Sequence, residues 1–245
     1  MLKIIITQDQ DIAYHNMNAF RALQSWISGN QSHKLFLALN DKLQELQYLT
    51  KNYPKVTESS AKKYVDNYWV YVAEKMHAIE HAQIKANSKC LDISTGIGVL
   101  PFMLNNLGHT CDATDVATDK DDIDPDVVKN GLNQQDAFDV LRSVHKVSIN
   151  HLTIKPNEYI TLPKKYDCIF SMRVVWDGNF SFDDGSYPFF INNMLDYTDK
   201  LVISWNMDTK DAIPFCIRPY VVDNQFNYGT LTIHTEKINV DTSTL

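Results

Sequence analysis

The chain has 245 residues, a formal net charge of −7, 44% hydrophobic and 22% charged residues, and four cysteines. That is long enough to bury a full core as one domain, or as one domain with an appendage, and its composition is ordinary for a globular protein. Its acidity argues against DNA or RNA as a partner, because phosphate backbones are repelled, and the small clusters Lys51 with Lys55 and Lys62 with Lys63 read as solvated helix faces.

In chain order, Met1–Ile6 is an apolar run too short for a signal peptide, and it reads as a short strand or packed arm. No apolar run approaches the ~18 residues of a membrane span, so the expected location is the cytoplasm. From about Gln8 to Asn87 glycine is nearly absent and apolar residues recur at three- and four-residue steps, which predicts helices. The clearest stripe is Ala61, Tyr64, Val65, Tyr68, Val72, Met76 and Ile79, with Ser59 or Ser60 able to cap its start. At its end, His77-Ala78-Ile79-Glu80-His81 matches the H-x-x-E-H spacing of zinc peptidases. The pair flanks an apolar stripe and reads first as a polar helix flank.

From Lys89 onward β-rich runs alternate with helices, the pattern of a parallel α/β sheet. The predicted strands are Lys89–Ile93, Thr110–Thr114, Lys146–Thr153, Tyr166–Ser171 and Lys200–Trp205. Runs near Pro214–Val222 and Thr230–Ile238 should pair as an antiparallel edge. Helices are predicted over Val99–Leu107, Pro125–Val144 and Tyr187–Tyr197. Asp119, Asp121, Asp122 and Asp124 lie in an acidic run without the central glycine and terminal glutamate of a calcium loop, and read as a solvated approach to a helix beginning at Pro125. Cys90, Cys111, Cys168 and Cys216 form no C-x-x-C pair, and they read as small buried hydrophobes of a reducing compartment. The expected organisation is a helical region over 1–87 and an α/β domain over 88–245.

The chemistry-bearing stretch is Cys90-Leu91-Asp92-Ile93-Ser94-Thr95-Gly96-Ile97-Gly98, with Asp115 closing the next apolar run. It reads as a buried strand, a tight glycine turn, a helix with free N–H groups at its start, a second strand and a carboxylate suited to a ribose diol. A dinucleotide fingerprint would want a third glycine three residues after Gly98, where Pro101 stands. No Gly-Lys-Ser/Thr follows, so it is not a P-loop.

This stretch resembles the first motif of class I S-adenosylmethionine-dependent methyltransferases. Asp92 matches the family's first acid, Gly96 and Gly98 its second and third glycines, and Asp115 its ribose acid, following Asp92 by 23 residues. Ser94 stands where the first glycine is expected. Tyr166-Asp167-Cys168-Ile169-Phe170-Ser171 looks like the family's fourth strand, and the resemblance covers about 88–238. It implies a seven-stranded, mostly parallel Rossmann-like sheet with an antiparallel C-terminal hairpin edge. The N-terminal helices lie outside the resemblance; such additions in this family often cap the active site and choose the substrate, and these read either as that cap or as a face that pairs with another subunit.

The same resemblance implies S-adenosylmethionine as cofactor and S-adenosylhomocysteine as product. Asp92 would help hold the amino-acid end, Gly96 and Gly98 would allow close backbone approach, and Asp115 would bond the ribose. Ser94, Thr95, Val116, Ser171 and Met172 would line the crevice at the carboxyl ends of the strands, with Asn157 and Glu158 as adenine-side candidates. Arg173 reads either as a clamp for an acidic acceptor or for the donor carboxylate, or as a salt-bridge partner of a nearby aspartate. Trp176 opens an aromatic-rich run to Phe190 that reads either as an acceptor wall or as core. Asn-Pro-Pro-Tyr, the mark of base and glutamine methylation, is absent after the fourth strand. A small-molecule acceptor methylated on oxygen or nitrogen is therefore expected, with no membrane partner. A sulfonium donor is already activated, so a missing signature base is no objection. The alternatives are a non-catalytic S-adenosylmethionine- or nucleoside-binding scaffold and a zinc hydrolase.

Overall fold

The apolar runs after Ser88 pair into a sheet, and among the described residues the helical pattern before Asn87 forms helices from Asn30 to Ala82. A computed structural model describes residues 23, 30–57, 61–115, 134–152, 154, 158–172, 186–205, 218–223 and 230–239. Helices α1 (Asn30–Asn52), α2 (Pro54–Thr57), α3 (Lys62–Asp66) and α4 (Tyr68–Ala82) come first. They are followed by β1 (Lys89–Ile93), α5 (Val99–Asn106), β2 (Thr110–Asp115), α6 (Gln134–His145), β3 (Ile149–His151), β4 (Cys168–Met172), α7 (Ser186–Met194) and β5 (Leu201–Trp205). A 3-10 turn (Arg218–Tyr220) leads into β6 (Val221–Asp223), and β7 (Thr230–His234) ends the order. The described residues divide into two compact units: a helical unit within 1–75, 96–107 and 118–148, and a sheet unit within 76–95, 108–117 and 149–245.

In the sheet unit the strand order is β3-β2-β1-β4-β5-β7-β6. The first five strands in that order run parallel. Strand β7 is antiparallel to both β5 and β6. Strands β4 and β5 are buried at every residue, as interior strands of a sheet covered on both faces must be. Leu91, Ile93, Ile169, Leu201, Ile203 and Trp205 form the core with Tyr187, Phe190, Ile191 and Met194 of α7. The predicted aromatic run thus contributes Tyr187 and Phe190 to the core, whereas Phe189 faces outward and Trp176, Phe180 and Phe182 lie outside the described residues.

Helix α7 also clamps two passing segments. Asn193 donates to the Ile160 carbonyl (3.1 Å) and accepts from the Ile160 N–H (2.8 Å). Asn192 does the same at Ile238, at 2.9 and 2.7 Å. Each amide satisfies a backbone donor and acceptor that no strand partner reaches. At the far end of α4, Lys200 Nζ donates to the Ala82 carbonyl, a cation on the negative end of a helix.

Three cysteines stand in one row, since Cys90 is in register with Cys111 on one side and Cys168 on the other. Burial, helped by the Asp167 carboxylate, pushes the Cys90 thiol up to about 12, and burial raises the other two as well. Cys90 and Cys168 are buried, as their sequence context suggests, whereas Cys111 is half-buried and donates to the Asp112 carbonyl (3.3 Å). Cys216 lies outside the described residues.

In the helical unit, Leu35, Phe36, Leu39, Leu43 and Leu46 recur along one stripe of α1 and are buried, and Phe36 stacks on Trp69 with ring centroids 5.0 Å apart. Ala61, Val65, Tyr68 and Val72 are buried and Tyr64 is half-buried, as the stripe predicts. The run is broken at Asn67, which ends α3 by returning both its backbone N–H and its side-chain amide to the Lys63 carbonyl, each at 3.0 Å. Ala137, Leu141 and Val144 form the buried face of α6.

Two boundaries differ from expectation. The third strand spans only Ile149–His151 rather than 146–153. Lys146 takes φ +56 and returns its N–H to the Ser143 carbonyl, so it terminates α6 instead of opening a strand. The last pair is shorter and its second member is interior, with β6 at the edge. Helix α6 is described only from Gln134; Pro125, the acidic run, Met1–Ile6, Ser59 and Ser60 lie outside the described residues. Among the described residues no helix is long and apolar enough to cross a membrane.

Two buried histidines set a pH dependence. Burial pulls His145 down to about 4, with Lys42 pushing the same way while the Ile97 hydrogen bond and Glu45 oppose it. Burial alone pulls His234 down to about 4. Between pH 6.5 and 4 the unfolded chain binds protons that the folded chain refuses, so both contributions are intact above 6.5 and are lost as pH falls towards 4. Each histidine makes stability fall by up to about 1.4 kcal/mol per pH unit in that window. Urea midpoints at pH 7, 6 and 5 should fall in step, and a flat profile would contradict the assignment of two buried neutral imidazoles.

Candidate functional site

The sheet unit brings the predicted residues to the carboxyl ends of three adjacent strands. Asp92, 1% exposed, lies on β1 in register with Ala113 of β2 and Phe170 of β4. Asp115, half-buried, closes β2 opposite His151, and its carbonyl accepts from the Leu152 N–H at 2.9 Å. Ser171 and Met172 close β4, with Ser171 in register with Ile93. Since neighbouring strands lie about 4.8 Å apart, the ends of β2 and β4 flank the end of β1 across about 10 Å. In open α/β sheets this is the edge that binds ligands.

Past β1 the backbone turns sharply. Ser94 takes φ +57, a left-handed conformation that a residue with a Cβ rarely adopts. Thr95 then sends its N–H to the Thr114 carbonyl (2.9 Å), tying the exit of β1 to β2. Glycine at the Ser94 position would relieve strain of about 1–2 kcal/mol at an entropic cost of about 0.5–1 kcal/mol. Ser94→Gly is therefore expected to stabilise the fold by up to about 1 kcal/mol, read as a higher urea midpoint. A destabilised variant would show that the serine hydroxyl holds the turn.

Two hydroxyls at this edge are unusual. Thr95 Oγ1 and Ser171 Oγ are buried and have no hydrogen-bond partner among the described residues. Thr95 is 4% exposed and Ser171 0%. A buried hydroxyl without a partner costs about 1–3 kcal/mol, and these two stand two residues past the end of β1 and near the end of the neighbouring β4.

The turn continues in the helical unit. Gly96 and Gly98 have φ +57 and +83, and Gly98 is the N-terminal flanking residue of α5. A Cβ on Gly98 would stand 3.0 Å from Val147 Cγ2, whereas one on Gly96 would meet Tyr64 at an ordinary 3.7 Å. Glycine at 98 is thus required twice, by conformation and by space. The Ile97 carbonyl between them accepts from His145 Nδ1 (2.7 Å).

Val116, Arg173, Trp176 and Asn157 lie outside the described residues, and Glu158 is exposed. The H-x-x-E-H pair is taken up locally, since His81 Nδ1–H donates to the His77 carbonyl one turn back (3.0 Å). No group of three His, Cys, Asp or Glu able to hold a metal ion occurs among the described residues. Sequence reasoning missed His145 and Val147, because a histidine at the end of an amphipathic helix carries no motif.

The deciding observation is topological. Five parallel strands in the order 3-2-1-4-5 are closed by an antiparallel seventh slipped between the fifth and sixth, with a glycine turn after the first strand and an acid ending the second. The fold is that of class I methyltransferases.

No family model and no curated protein matches the chain. Solved methyltransferase structures are similar to part of it. The glycopeptide N-methyltransferase MtfA is 10% identical, with 66% of this chain and 71% of that one covered at a TM-score of 0.40. TehB from Haemophilus influenzae is 20% identical, over 58% of this chain and 44% of that one, at 0.37. The ribosomal protein L11 methylase from Lactobacillus delbrueckii subsp. bulgaricus is 16% identical, over 54% and 58%, at 0.34. The matched stretch spans about half, 51%, of the MtfA chain in its sinefungin complex. With every one of these scores below 0.5, the reading of this methyltransferase fold rests on its own strand order and residues.

Proposed function

We propose that the protein is an S-adenosylmethionine-dependent methyltransferase that places a methyl group on an oxygen or nitrogen of a small-molecule acceptor. The observation that carries this is the pairing of a glycine turn at the end of β1 with a carboxylate at the end of the neighbouring β2, on the carboxyl edge of a sheet with this strand order. The hydroxyls of Thr95 and Ser171, without a partner among the described residues, fit a polar ligand at that edge.

In this reading Asp115 accepts from the ribose hydroxyls, Asp92 anchors the amino-acid end, and Gly96 and Gly98 admit the ligand close to the backbone. Ser94, Thr95, Ser171 and Met172 line the donor's place, Val116 is assigned to it from the sequence, and Arg173 and Trp176 are the sequence's candidates for contacting the acceptor. When bound, the sulfonium supplies an already activated methyl group. The chain's own residues have only to align donor and acceptor and to exclude water. The organisation into a helical segment over 1–87 that caps the site and a donor-binding domain over 88–245, and a location in the cytoplasm, belong to the same proposal.

Calorimetric titration with S-adenosylmethionine and then S-adenosylhomocysteine is the direct test. Micromolar binding of both is expected, and it would open a screen of small acceptors by product formation. Absence of binding to either would overturn the reading.

A further inference from the structure

His145 is a buried side chain with a defined hydrogen-bonding role and no place in the residues assigned so far. It is the last residue of α6 and is 3% exposed. Its Nδ1 lies 2.7 Å from the Ile97 carbonyl and its Nε2 3.1 Å from Tyr68 Oη, itself buried. A carbonyl can only accept, so Nδ1 carries the proton. In the neutral ring Nε2 is then an acceptor, and the Tyr68 hydroxyl donates to it. The chain of bonds runs one way, from Tyr68 O–H to Nε2 and from Nδ1–H to the Ile97 carbonyl. The ring is held edge-to-face on Phe102, with centroids 5.3 Å apart.

The consequence for the glycine turn follows from peptide geometry. The peptide bonds described are trans, so the carbonyl of Ile97 and the N–H of Gly98 point in opposite directions. A carbonyl drawn onto His145 therefore turns the Gly98 N–H away from α6. Val147, two residues on, fills the space that a Cβ on Gly98 would need, its Cγ2 lying 3.0 Å from that position. The end of α6 thus sets the rotation of the peptide at the heart of the turn through the bond from His145 to the Ile97 carbonyl.

We propose that His145, through its hydrogen bond to the Ile97 carbonyl, is a positioning residue for ligand binding by the Gly96–Gly98 turn, which rests on the reading of that turn as the holder of the methyl donor. It does not touch the donor. It fixes the peptide whose N–H the donor meets.

The test uses two amides of similar chemistry. In His145→Asn the side-chain N–H stands where Nδ1–H stood and can reach the Ile97 carbonyl. In His145→Gln it extends to the Nε2 position and cannot. The dissociation constant for S-adenosylmethionine is expected to stay within about threefold of wild type in the asparagine variant and to rise at least tenfold in the glutamine variant, at comparable melting temperatures. Nitrogen NMR of the imidazole in wild type should show the Nδ1–H tautomer at pH 7. The Gly98 amide resonance should move in the glutamine variant and hold in the asparagine variant. Equal affinities in the two variants, or an Nε2–H tautomer, would overturn the positioning role while leaving the donor site standing. A wild-type protein that takes no S-adenosylmethionine overturns the donor reading and this inference with it, a different and recognisable result.

Discussion

Gly98→Ala is expected to be among the most damaging single substitutions in the chain. The residue sits at φ +83, where a Cβ costs about 1–2 kcal/mol. Its new methyl would stand 3.0 Å from Val147 Cγ2 and 3.1 Å from Val147 Cβ, so tight that the neighbour must give way, and 3.6 Å from His145 Cβ. The second contact is with the stem of a β-branched residue, which cannot swing aside at its Cβ. Relief must come from the backbone of the turn or from the exit of α6, and overpacking of that kind costs about 1–3 kcal/mol more. Together the loss is about 2–5 kcal/mol, or roughly 5–15 °C in melting temperature for a chain of this size. Urea denaturation and a thermal melt of the purified variant read it directly. Alanine at wild-type stability would mean that the left-handed turn is not the conformation adopted in solution. Gly96→Ala makes the internal comparison: it shares the positive φ but meets only Tyr64 at ordinary distance, so its loss should be the smaller of the two.

Asp115→Ala tests the chemistry rather than the fold. The carboxylate is half-buried at the end of β2, where its backbone is held by the Leu152 N–H and the pairing with β3. Removing the side chain leaves that backbone pairing intact, so the variant should fold. Donor affinity should change greatly. A carboxylate accepting from both ribose hydroxyls makes two charge-assisted bonds, and their loss is worth about 3 kcal/mol, or about a hundredfold in dissociation constant. Asp115→Asn, which keeps one acceptor oxygen without the charge, should fall between. Calorimetry on the three proteins gives the order, with folding checked by circular dichroism. Equal affinity in all three would move the ribose elsewhere along the edge and leave Asp115 as a solvated strand-end carboxylate.

The residues of the candidate site were legible because they follow local rules. Alternating apolar runs and helices announced a parallel sheet, and the strand Lys89–Ile93 has the limits its pattern predicts. Asp92, Gly96, Gly98 and Asp115 could be singled out because a glycine turn between strand and helix, followed by an acid at the next strand's end, is short-range information. The Lys146–Thr153 strand was overdrawn because β-rich composition does not show that Lys146 turns left-handed to end α6. The clamps of Asn192 and Asn193 were invisible, since an asparagine on a helix reads as surface until the segments at Ile160 and Ile238 pass beside it.

By itself, the sequence determined the class of fold, the helical character before Asn87, the position of the glycine turn and the acid that answers it. Each of these depends on residues within one or two neighbouring elements, where hydrophobic period and backbone stereochemistry act locally. Only the tertiary structure decided the rest. It set β7 between β5 and β6, strained Ser94 into the left-handed region, left the hydroxyls of Thr95 and Ser171 buried without partners among the described residues, and brought His145 back to the Ile97 carbonyl across 48 residues. Those outcomes are satisfied or unsatisfied bonds between distant segments. No local pattern encodes them, because their energy exists only once the chain has closed on itself.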